Sequence, residues 1–375
     1  MFDLRDIAKI RHHLHQNPEM GGEETKTSVF IEEVIRKNHP RFEIQKEIGG
    51  RGVLASREYG EGKHIAFRAE LDALPVFEEN EIEHRSRVNG KSHACGHDGH
   101  MSILLATLRK IEDSKPSSGK VSFLFQPAEE TGQGADAMLN DANFDWFQPD
   151  ALYALHNIPG KPMGEVMSRL GTFACGSVGV RLEIIGKTAH AAHPEDAVNP
   201  ILLSQYFINE VTALATRAKA FTLVTPIALR AGEKTFGTTP LKSIILVTMR
   251  AELPEDLEFM IDEAGQLAEK IESENDAKID IRFEEYFPVT RNDRFFEELR
   301  EVCKKIDRPF REMDVPFRWS EDFGHFSKRC PTHMFGLGSG KETAPLHAST
   351  YDFPDELIEK GAEVFFELYK THNPS

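Results

Sequence analysis

The chain has 375 residues, of which 40% are hydrophobic and 28% charged, and this composition is typical of a folded globular protein. Domains cluster near ~100 to 200 residues, so a chain of this length predicts two domains. The formal net charge of −16 argues against a large surface for nucleic acid or for anionic membranes.

In chain order, the first strong patterns are three apolar runs that predict buried strands: HIAFRAELDAL, KVSFLFQPAEE and DALYALHNIPG. Each run leads into a loop of polar or special residues. A helical pattern, HMSILLATLRKIEDS at residues 100–114, lies between the first two runs. This alternation predicts an α/β fold, in which ligands gather at the carboxyl ends of the strands.

From about Ser177 the pattern changes, and six elements follow in the order strand, helix, strand, strand, helix, strand. They are SVGVRLEII, VNPILLSQYFINEVTALATRA, FTLVTPIALRA, KSIILVTMRAEL, DLEFMIDEAGQLAEKIESE and KIDIRFEEYF. This is the β-α-β-β-α-β order of a ferredoxin-like domain. We therefore predict a domain at residues 177–288, inserted into an α/β domain formed by residues 1–176 and 289–375.

None of these patterns approaches the ~20 consecutive apolar residues that span a bilayer, and the first residues lack the apolar core of a signal peptide. We therefore expect a cytoplasmic protein with no membrane partner. Four cysteines scattered through the chain form no disulfide framework. Only Cys95 lies among other residues of metal-ligand type.

The densest cluster of such residues is SHACGHDGH, at residues 92–100. Cys95 and His97 are two residues apart, so on an extended or loop segment their side chains can converge on one point. A thiolate and an imidazole together suit zinc or a similar divalent ion. The alternative is a buried thiol beside surface histidines, which is the commoner fate of such a pair.

Further ligand-type residues follow the predicted strands. Glu129 and Glu130 come just after the run that ends at Phe125, His156 is expected just after another strand, and His347 lies in the loop after MFGLG. Strand ends are where an α/β sheet collects ligands. Chance can supply one such coincidence but not readily several, so the pattern favours a metal site.

The adjacent glutamates are expected to have different roles, because neighbouring side chains on an extended backbone point in different directions. One can bind a metal ion while the other takes a proton from water. The alternative for two adjacent glutamates is a solvated surface pair. That alternative is less favoured directly after the buried run VSFLFQPA.

These residues resemble the amidohydrolase branch of the aminoacylase/carboxypeptidase metallopeptidases, which includes hippurate hydrolase, indole-acetyl-amino-acid hydrolase and N-acetyldiaminopimelate deacetylase. The resemblance covers nearly the whole chain. Its motifs are RHHLHQNPEMGGEET, RAELDALPV, SHACGHDGH, FQPAEETGQGA, LHNIPGKPMGEV, GKTAHAAHPEDAVNPI, SEDFGHF and LHASTYDFPDE. It implies a zinc-peptidase-like α/β domain interrupted by a ferredoxin-like lid, and a lid of this kind commonly dimerises.

The resemblance implies roles for individual residues. It makes Glu129 the general base and His190 a lid histidine that stabilises the oxyanion, often in the partner subunit's site. The alternative for His190 is a surface loop histidine. Asp72 is expected to orient a ligand, with a structural turn role as the alternative. Two divalent ions, of zinc, manganese, cobalt or nickel, would be bound by five ligands: Cys95, His97, Glu130, His156 and His347.

Some positions depart from the family pattern. Thr188 and Ala189 precede the lid histidine where two glycines are usual, and Gly237 replaces an asparagine thought to hold the substrate. Glu70 stands where an aspartate is more usual. The metal ligands match the pattern, so we expect hydrolysis to survive, whereas the choice of substrate does not transfer.

The sequence therefore predicts a metal-dependent amidohydrolase that cleaves the amide bond of an N-acyl amino acid or a small related compound. One alternative is a dipeptidase or carboxypeptidase that uses the same two-ion centre. Another is a catalytically silent binding protein that keeps the fold, although the intact general base and ligands argue against it. A homodimer formed through the lid is the expected assembly.

Overall fold

The computed structural model describes residues 6–374, which divide into two compact units. The first unit comprises residues up to 173, residues 290–315 and residues from 322 onward. The second comprises residues 174–289 and 316–321. The chain thus leaves the first unit and returns to it.

The helices and strands of both units are numbered in chain order. The strands are β1 (Glu43–Ile48), β2 (Gly52–Glu58), β3 (His64–Glu70), β4 (Lys120–Gln126), β5 (Ala151–Ile158), β6 (Val166–Ser168), β7 (Gly171–Ala174), β8 (Gly176–Ile185), β9 (Thr222–Ala231), β10 (Lys242–Ala251), β11 (Lys278–Phe287), β12 (Thr290–Asn292), β13 (Phe310–Glu312) and β14 (Thr332–Gly338). The helices are α1 (Ile7–Gln16), α2 (Thr25–Asn38), α3 (His97–Ser114), α4 (Gly134–Leu139), α5 (Pro200–Leu214), α6 (Pro254–Glu274), α7 (Phe296–Lys305) and α8 (Glu356–His372). Among these helices, none has the length and apolar character needed to cross a membrane.

The first unit is built on an eight-stranded sheet with the order β1-β2-β4-β3-β5-β14-β6-β13. Its centre is parallel, because β4, β3, β5 and β14 all run in the same direction. Strand β5 is buried along its whole length, as expected for a parallel strand covered on both faces. The carboxyl ends of these four strands therefore lie at one edge of the sheet. The α/β fold predicted from the sequence is confirmed.

Helices cover this sheet and join the two ends of the chain into one core. The ring of Phe67, on β3, lies 4.7 Å from that of Phe365, on α8. Both side chains are fully buried. A helix from the C-terminal part of the chain thus completes the core that surrounds the N-terminal strands.

Helix α1 contributes buried charged side chains to this core. The Nη1 atom of Arg11 lies 3.2 Å from an Asp98 carboxylate oxygen, and Nδ1 of His15 lies 2.9 Å from that same oxygen. His15 Nε2 is 3.2 Å from Glu78. Burial alone would lower the pKa of His15, but the charge and hydrogen bond of Asp98 and the hydrogen bond of Glu78 raise it to about 9. The histidine is therefore a buried cation at neutral pH.

We expect this cation to make stability depend on pH. A histidine whose pKa is raised by folding contributes its full stabilisation at pH values below 6.5, the pKa of the histidine in the unfolded chain. That contribution is lost as the pH rises through about 9, the pKa in the folded protein. The gap in melting temperature between wild type and His15→Gln should therefore narrow between pH 6.5 and pH 9.5. Thermal melts of both proteins at a fixed metal concentration measure it. A gap that stays constant over this range would contradict the assignment.

The second unit has the order β8, α5, β9, β10, α6, β11, which is the predicted β-α-β-β-α-β sequence of elements. Its four strands form an antiparallel sheet with the order β11-β8-β10-β9. Alternate residues of β8 are buried, as a strand with one covered face requires. They pack in a core of their own with residues of both helices, among them Phe207, Val211, Leu257 and Met260.

Candidate metal centre

The segment that carries Cys95 and His97 turns sharply into a helix. The sequence predicted a helix from residue 100, with Cys95 and His97 on an extended or loop segment before it. This is wrong for His97, because α3 begins at that residue. Gly96 has φ of +90°, a left-handed conformation that favours glycine. A Cβ atom there would lie 2.5 Å from Asn157 Oδ1 and 2.8 Å from the Tyr351 hydroxyl. Glycine therefore allows the chain to turn this early.

His156 also differs from the sequence-based expectation. It was expected just after a strand, but it lies inside β5, which continues to Ile158. The reason is the neighbouring strand β14, whose last residue, Gly338, still pairs with Ile158. The side chain of His156 is thus held by a fully paired strand.

The five expected ligands come together in the first unit, at the carboxyl edge of its sheet. Cys95, His97 and His156 form one group, and Cys95, Glu130 and His347 form another. Within each group, one potential ligand atom from each residue lies within 4.8 Å of the others. The two groups share Cys95.

The hydrogen bonds of two histidines determine which ring nitrogen faces the cluster. Nδ1 of His97 lies 2.8 Å from the carbonyl oxygen of Asp72, and Nδ1 of His156 lies 2.9 Å from that of Asn157. A carbonyl oxygen only accepts, so each Nδ1 carries a proton, and in the neutral ring that binds a metal ion the lone pair is on Nε2. Nε2 of His156 lies 3.4 Å from Sγ of Cys95. Metal-binding histidines commonly have this arrangement.

The two adjacent glutamates approach the cluster differently. Oε1 of Glu130 lies 3.8 Å from Nε2 of His97 and 3.9 Å from Nε2 of His347, so it meets a histidine from each group. Oε2 of Glu129 lies 3.9 Å from Nε2 of His97. Both glutamates form a ligand group with His97, but of the two only Glu130 also forms one with Cys95 and His347.

The pKa values of Cys95 and His97 reflect the negative charges near them. Burial raises the pKa of the Cys95 thiol well above its ordinary value, and the charges of Glu130 and Glu129 raise it further. Burial alone would lower the pKa of His97, but the hydrogen bond with Asp72 and nearby carboxylates raise it to about 10. Burial and then the nearby carboxylates favour the protonated thiol of Cys95, whereas for His97 the hydrogen bond and the carboxylates favour protonation against the effect of burial.

The cluster fits a divalent cation. It combines a thiol, imidazoles and carboxylates, which are the donors that zinc and similar ions take in proteins. Nε2 of His97 is buried and has no hydrogen-bond partner within residues 6–374. An unpaired buried nitrogen is costly, and a bound cation would satisfy it while neutralising the carboxylates.

Two loops at the cluster have a left-handed backbone at residues other than glycine. Ala128, next to Glu129, has φ of +50°, and His347 has φ of +65°. Such conformations persist only where the surroundings hold them, and they occur often at functional sites. The backbone N–H of His347 donates to the Ala94 carbonyl at 2.8 Å, so the His347 loop is fixed to the segment that carries Cys95.

A buried polar chain behind the cluster was not assigned from the sequence. The ring nitrogens of His100 lie 2.7 Å from Glu70 and 2.7 Å from Asn157. Glu70 also pairs with Arg68. Glu70, His97 and His100 lie close enough to form a ligand group of their own, but both carboxylate oxygens of Glu70 are already engaged. The sequence contained one signal for His100: it follows His97 by about one helical turn, so the two histidines lie on the same face of a helix.

His190 belongs to the second unit and is not one of the residues in these groups. It forms an isolated bridge with Thr238, and its Nδ1 accepts a hydrogen bond from the Ala192 N–H at 3.0 Å. The N–H of Ala191 donates to the Gly237 carbonyl at 3.0 Å. The loop of His190 thus pairs with the loop of Gly237, the position at which the family pattern has an asparagine. Its role in catalysis stays a prediction.

The assignment of Cys95 as a ligand can be tested against a cysteine of similar burial. Cys95 and Cys330 are 6% and 7% exposed, but only Cys95 lies among the grouped ligands. We expect Cys95→Ser to weaken zinc binding by more than about 100-fold, because changing a residue that only supports a ligand typically costs about 10- to 100-fold. Cys330→Ser should bind zinc as wild type does. Competition with a chromophoric chelator measures both, and unchanged affinity in Cys95→Ser would exclude the thiolate as a ligand.

Comparisons with known proteins show the family of the chain. The model of "Peptidase family M20/M25/M40" matches residues 66–371. The chain is 31% identical to an N-acetyldiaminopimelate deacetylase of Lactococcus lactis subsp. cremoris, and the alignment covers 96% of both chains. It is 30% identical to a hippurate hydrolase of Campylobacter jejuni, over 98% of this chain and 97% of the relative.

A solved structure shows a similar fold. The Bacillus subtilis YxeP protein, described as a dinuclear metal-binding peptidase from the M20 family, superposes with a TM-score of 0.80 at 23% identity. The superposition covers 97% of this chain and 96% of that protein. At this identity the likeness establishes the fold.

Proposed function

The chain belongs to peptidase family M20/M25/M40, as a metal-dependent amidohydrolase, and on this basis we propose that it hydrolyses the amide bond of N-acyl amino acids. The observation that carries the proposal is the cluster at the carboxyl edge of the first unit's sheet. There Glu129 and Glu130 form a ligand group with His97, next to the two groups that contain Cys95, and together these donors fit a divalent cation. The two curated relatives described above are named for the hydrolysis of substrates of this kind.

We propose that the centre holds two divalent ions. Two overlapping ligand groups support this number, because each alone offers three donors and they share Cys95. Cys95, His97 and His156 would hold one ion, and Cys95, Glu130 and His347 the other. Zinc, manganese, cobalt and nickel all accept such donors. Bound ions of this type polarise a carbonyl group and make water a stronger nucleophile near neutral pH.

The residues of the chain then have distinct tasks. Glu129, held close to the ligands but off the centre of the cluster, takes a proton from the attacking water and passes it to the nitrogen of the leaving amine. His190 donates a hydrogen bond to the oxyanion that develops at the scissile carbonyl. His97 and His156 keep their Nε2 atoms directed at the cluster through their Nδ1 hydrogen bonds. No covalent intermediate is needed.

We also propose that the second unit serves as a lid and forms a homodimer. Strand β9 is an edge of its sheet, and its Leu223, Ile227 and Leu229 are 40%, 60% and 46% exposed. On α5, Leu202 is 62% exposed. An apolar edge strand of this kind is a template for pairing with another chain, and a second copy would cover it. Sedimentation of the purified protein as a dimer is the expected result, in keeping with the cytoplasmic homodimer predicted from the sequence.

A substrate panel on metal-reconstituted protein tests the proposed activity. We expect hydrolysis of acetyl or benzoyl amino acids, measured by release of the free amine, and loss of that activity after chelation. Preference for dipeptides over all acyl amino acids would favour the peptidase alternative. Binding without turnover of any substrate, at full metal occupancy, would instead favour the silent binding protein.

A further inference from the structure

Two carboxylates from distant parts of the chain hold the loop that carries Glu129 and Glu130. Oε1 of Glu24, at the start of α2, accepts a hydrogen bond from the backbone N–H of Ala128 at 2.7 Å. Oδ2 of Asp72, after β3, accepts one from the backbone N–H of Glu130 at 2.9 Å. The two hydrogen bonds lie on either side of Glu129 in the sequence, so the backbone of the expected general base is fixed from both directions.

The backbone at Ala128 needs such support. With φ of +50°, Ala128 adopts the left-handed conformation, which a residue with a Cβ atom rarely takes unless its surroundings enforce it. The segment before α2 packs closely on it, since a Cβ atom on Gly21 would lie 3.2 Å from Ala128 Cα. Glu24 and Gly21 therefore act together on the strained residue next to Glu129.

Helix capping is not the task of Glu24. It is the residue that precedes α2, but its side chain does not cap that helix. The carboxylate of Glu19 does so instead, by accepting hydrogen bonds from the Thr27 N–H at 2.8 Å and the Thr27 hydroxyl at 2.9 Å. Capping of α2 thus does not explain why a carboxyl group is buried at Glu24.

The burial of Glu24 is also costly. The residue is fully buried, and its Oε2 has no hydrogen-bond partner in the part of the chain that the structure describes. Burial, with a contribution from the charge of Asp72, raises the pKa of Glu24 to about 7, although backbone hydrogen bonds at Glu24, Ala128 and Gly22 act in the opposite direction. A buried acid with an unsatisfied oxygen contributes poorly to stability, so a role outside stability is the better explanation for it.

We propose that Glu24 is a positioning residue that, together with Asp72, fixes the Ala128–Glu130 loop and so directs the carboxylate of Glu129 for proton transfer. The inference rests on the proposed function, in which Glu129 is the general base. Errors of about 1 Å in the placement of a catalytic group can cost ~10²-fold in rate. Glu24 would thus affect the rate without touching the substrate.

The test compares three variants on the acyl amino acid that wild type hydrolyses, with hippurate and N-acetyl amino acids as probes. Glu24→Met keeps a similar volume but has no acceptor, and we expect kcat to fall by about 10- to 100-fold while KM and metal content stay close to wild type. Glu24→Gln keeps an oxygen for the Ala128 N–H and should restore most of kcat. Glu23→Gln is the matched control, because the neighbouring Glu23 is exposed and pairs with Lys91. Glu24→Ala replaces Glu24→Met if the latter does not fold.

A double substitution separates positioning from a general structural role. If Glu24 acts through Glu129, Glu24→Met should lower kcat little further once Glu129 is already glutamine, because effects that pass through one residue are not additive. If Glu24→Met lowers kcat by the same factor in the wild-type and in the Glu129→Gln protein, the proposal is overturned. Wild-type kcat in a folded Glu24→Met protein would overturn it as well. An inactive wild type would contradict the proposed function instead, and an unimpaired Glu129→Gln would contradict the assignment of the base. Each of these results therefore contradicts a different assignment: the positioning role of Glu24, the proposed function or the role of Glu129.

Discussion

Glu129→Gln should lower kcat by about 10² to 10⁴ while leaving the metal content near that of wild type. This is the usual contribution of general acid–base catalysis, and glutamine cannot take the proton from water. Glu129 and Glu130 approach Nε2 of His97 at 3.9 and 3.8 Å, and of the two it is Glu130 that also approaches His347, at 3.9 Å, which is why we propose Glu130 as the ligand. Steady-state kinetics and metal analysis of the same preparation give both quantities.

Glu130→Gln is the matched control, since it changes the neighbouring side chain in the same way. It should reduce metal occupancy, because an amide is a poorer ligand than a carboxylate. Normal occupancy in Glu130→Gln combined with metal loss in Glu129→Gln would reverse the two assignments. The test is sharp because both residues lie on one loop and share its backbone supports.

His190→Ala should be slow but fully metallated. Removing one donor to an oxyanion typically costs ~10² to 10³ in kcat, and His190 is not among the grouped ligands. Kinetics and metal analysis again test this. A variant with wild-type kcat and KM would show that the family role fails at this position. The altered residues Thr188, Ala189 and Gly237 would then mark a lid that works differently.

Subunit mixing shows whether His190 acts within its own chain or on a partner. If it acts on the partner, mixing His190→Ala with Glu129→Gln under conditions that allow exchange should restore activity, because a mixed dimer contains one site with both residues intact. The control is each variant mixed with itself, which restores none. If the histidine serves its own chain, the mixed pair stays as slow as its parents.

The sequence predicted those features that depend on local pattern. The runs at β3, β4 and β5 were recognisable because buried parallel strands are apolar along their length, and the six elements of the second unit were recognisable from their order. Ligand-type residues near the ends of parallel strands were expected to meet, and Glu130 and His347 do meet Cys95. The sequence could assign the individual roles of the glutamates only through the family resemblance.

Features that depend on contacts between distant segments were not predictable. The early start of α3 depends on Gly96 facing Asn157 and Tyr351, and the length of β5 depends on its pairing with β14. The contact of Glu24 with Ala128 joins residues 104 positions apart. No periodicity in a single segment encodes such a pair, so the roles of Glu24 and His100 emerged only in three dimensions.

The divided course of the chain has a consequence for how the protein is made. On the ribosome, the second unit's own sheet is complete once β11 has emerged, and it can fold early because domains generally fold as units during synthesis. The first unit cannot, because β14 lies inside its sheet and His347 follows β14. Its N-terminal strands and four of the five expected ligands must therefore wait, with their sheet incomplete, while the inserted unit is translated. The nascent metal centre is assembled last, and the interval before it closes is when exposed strands are most open to chaperones and to aggregation.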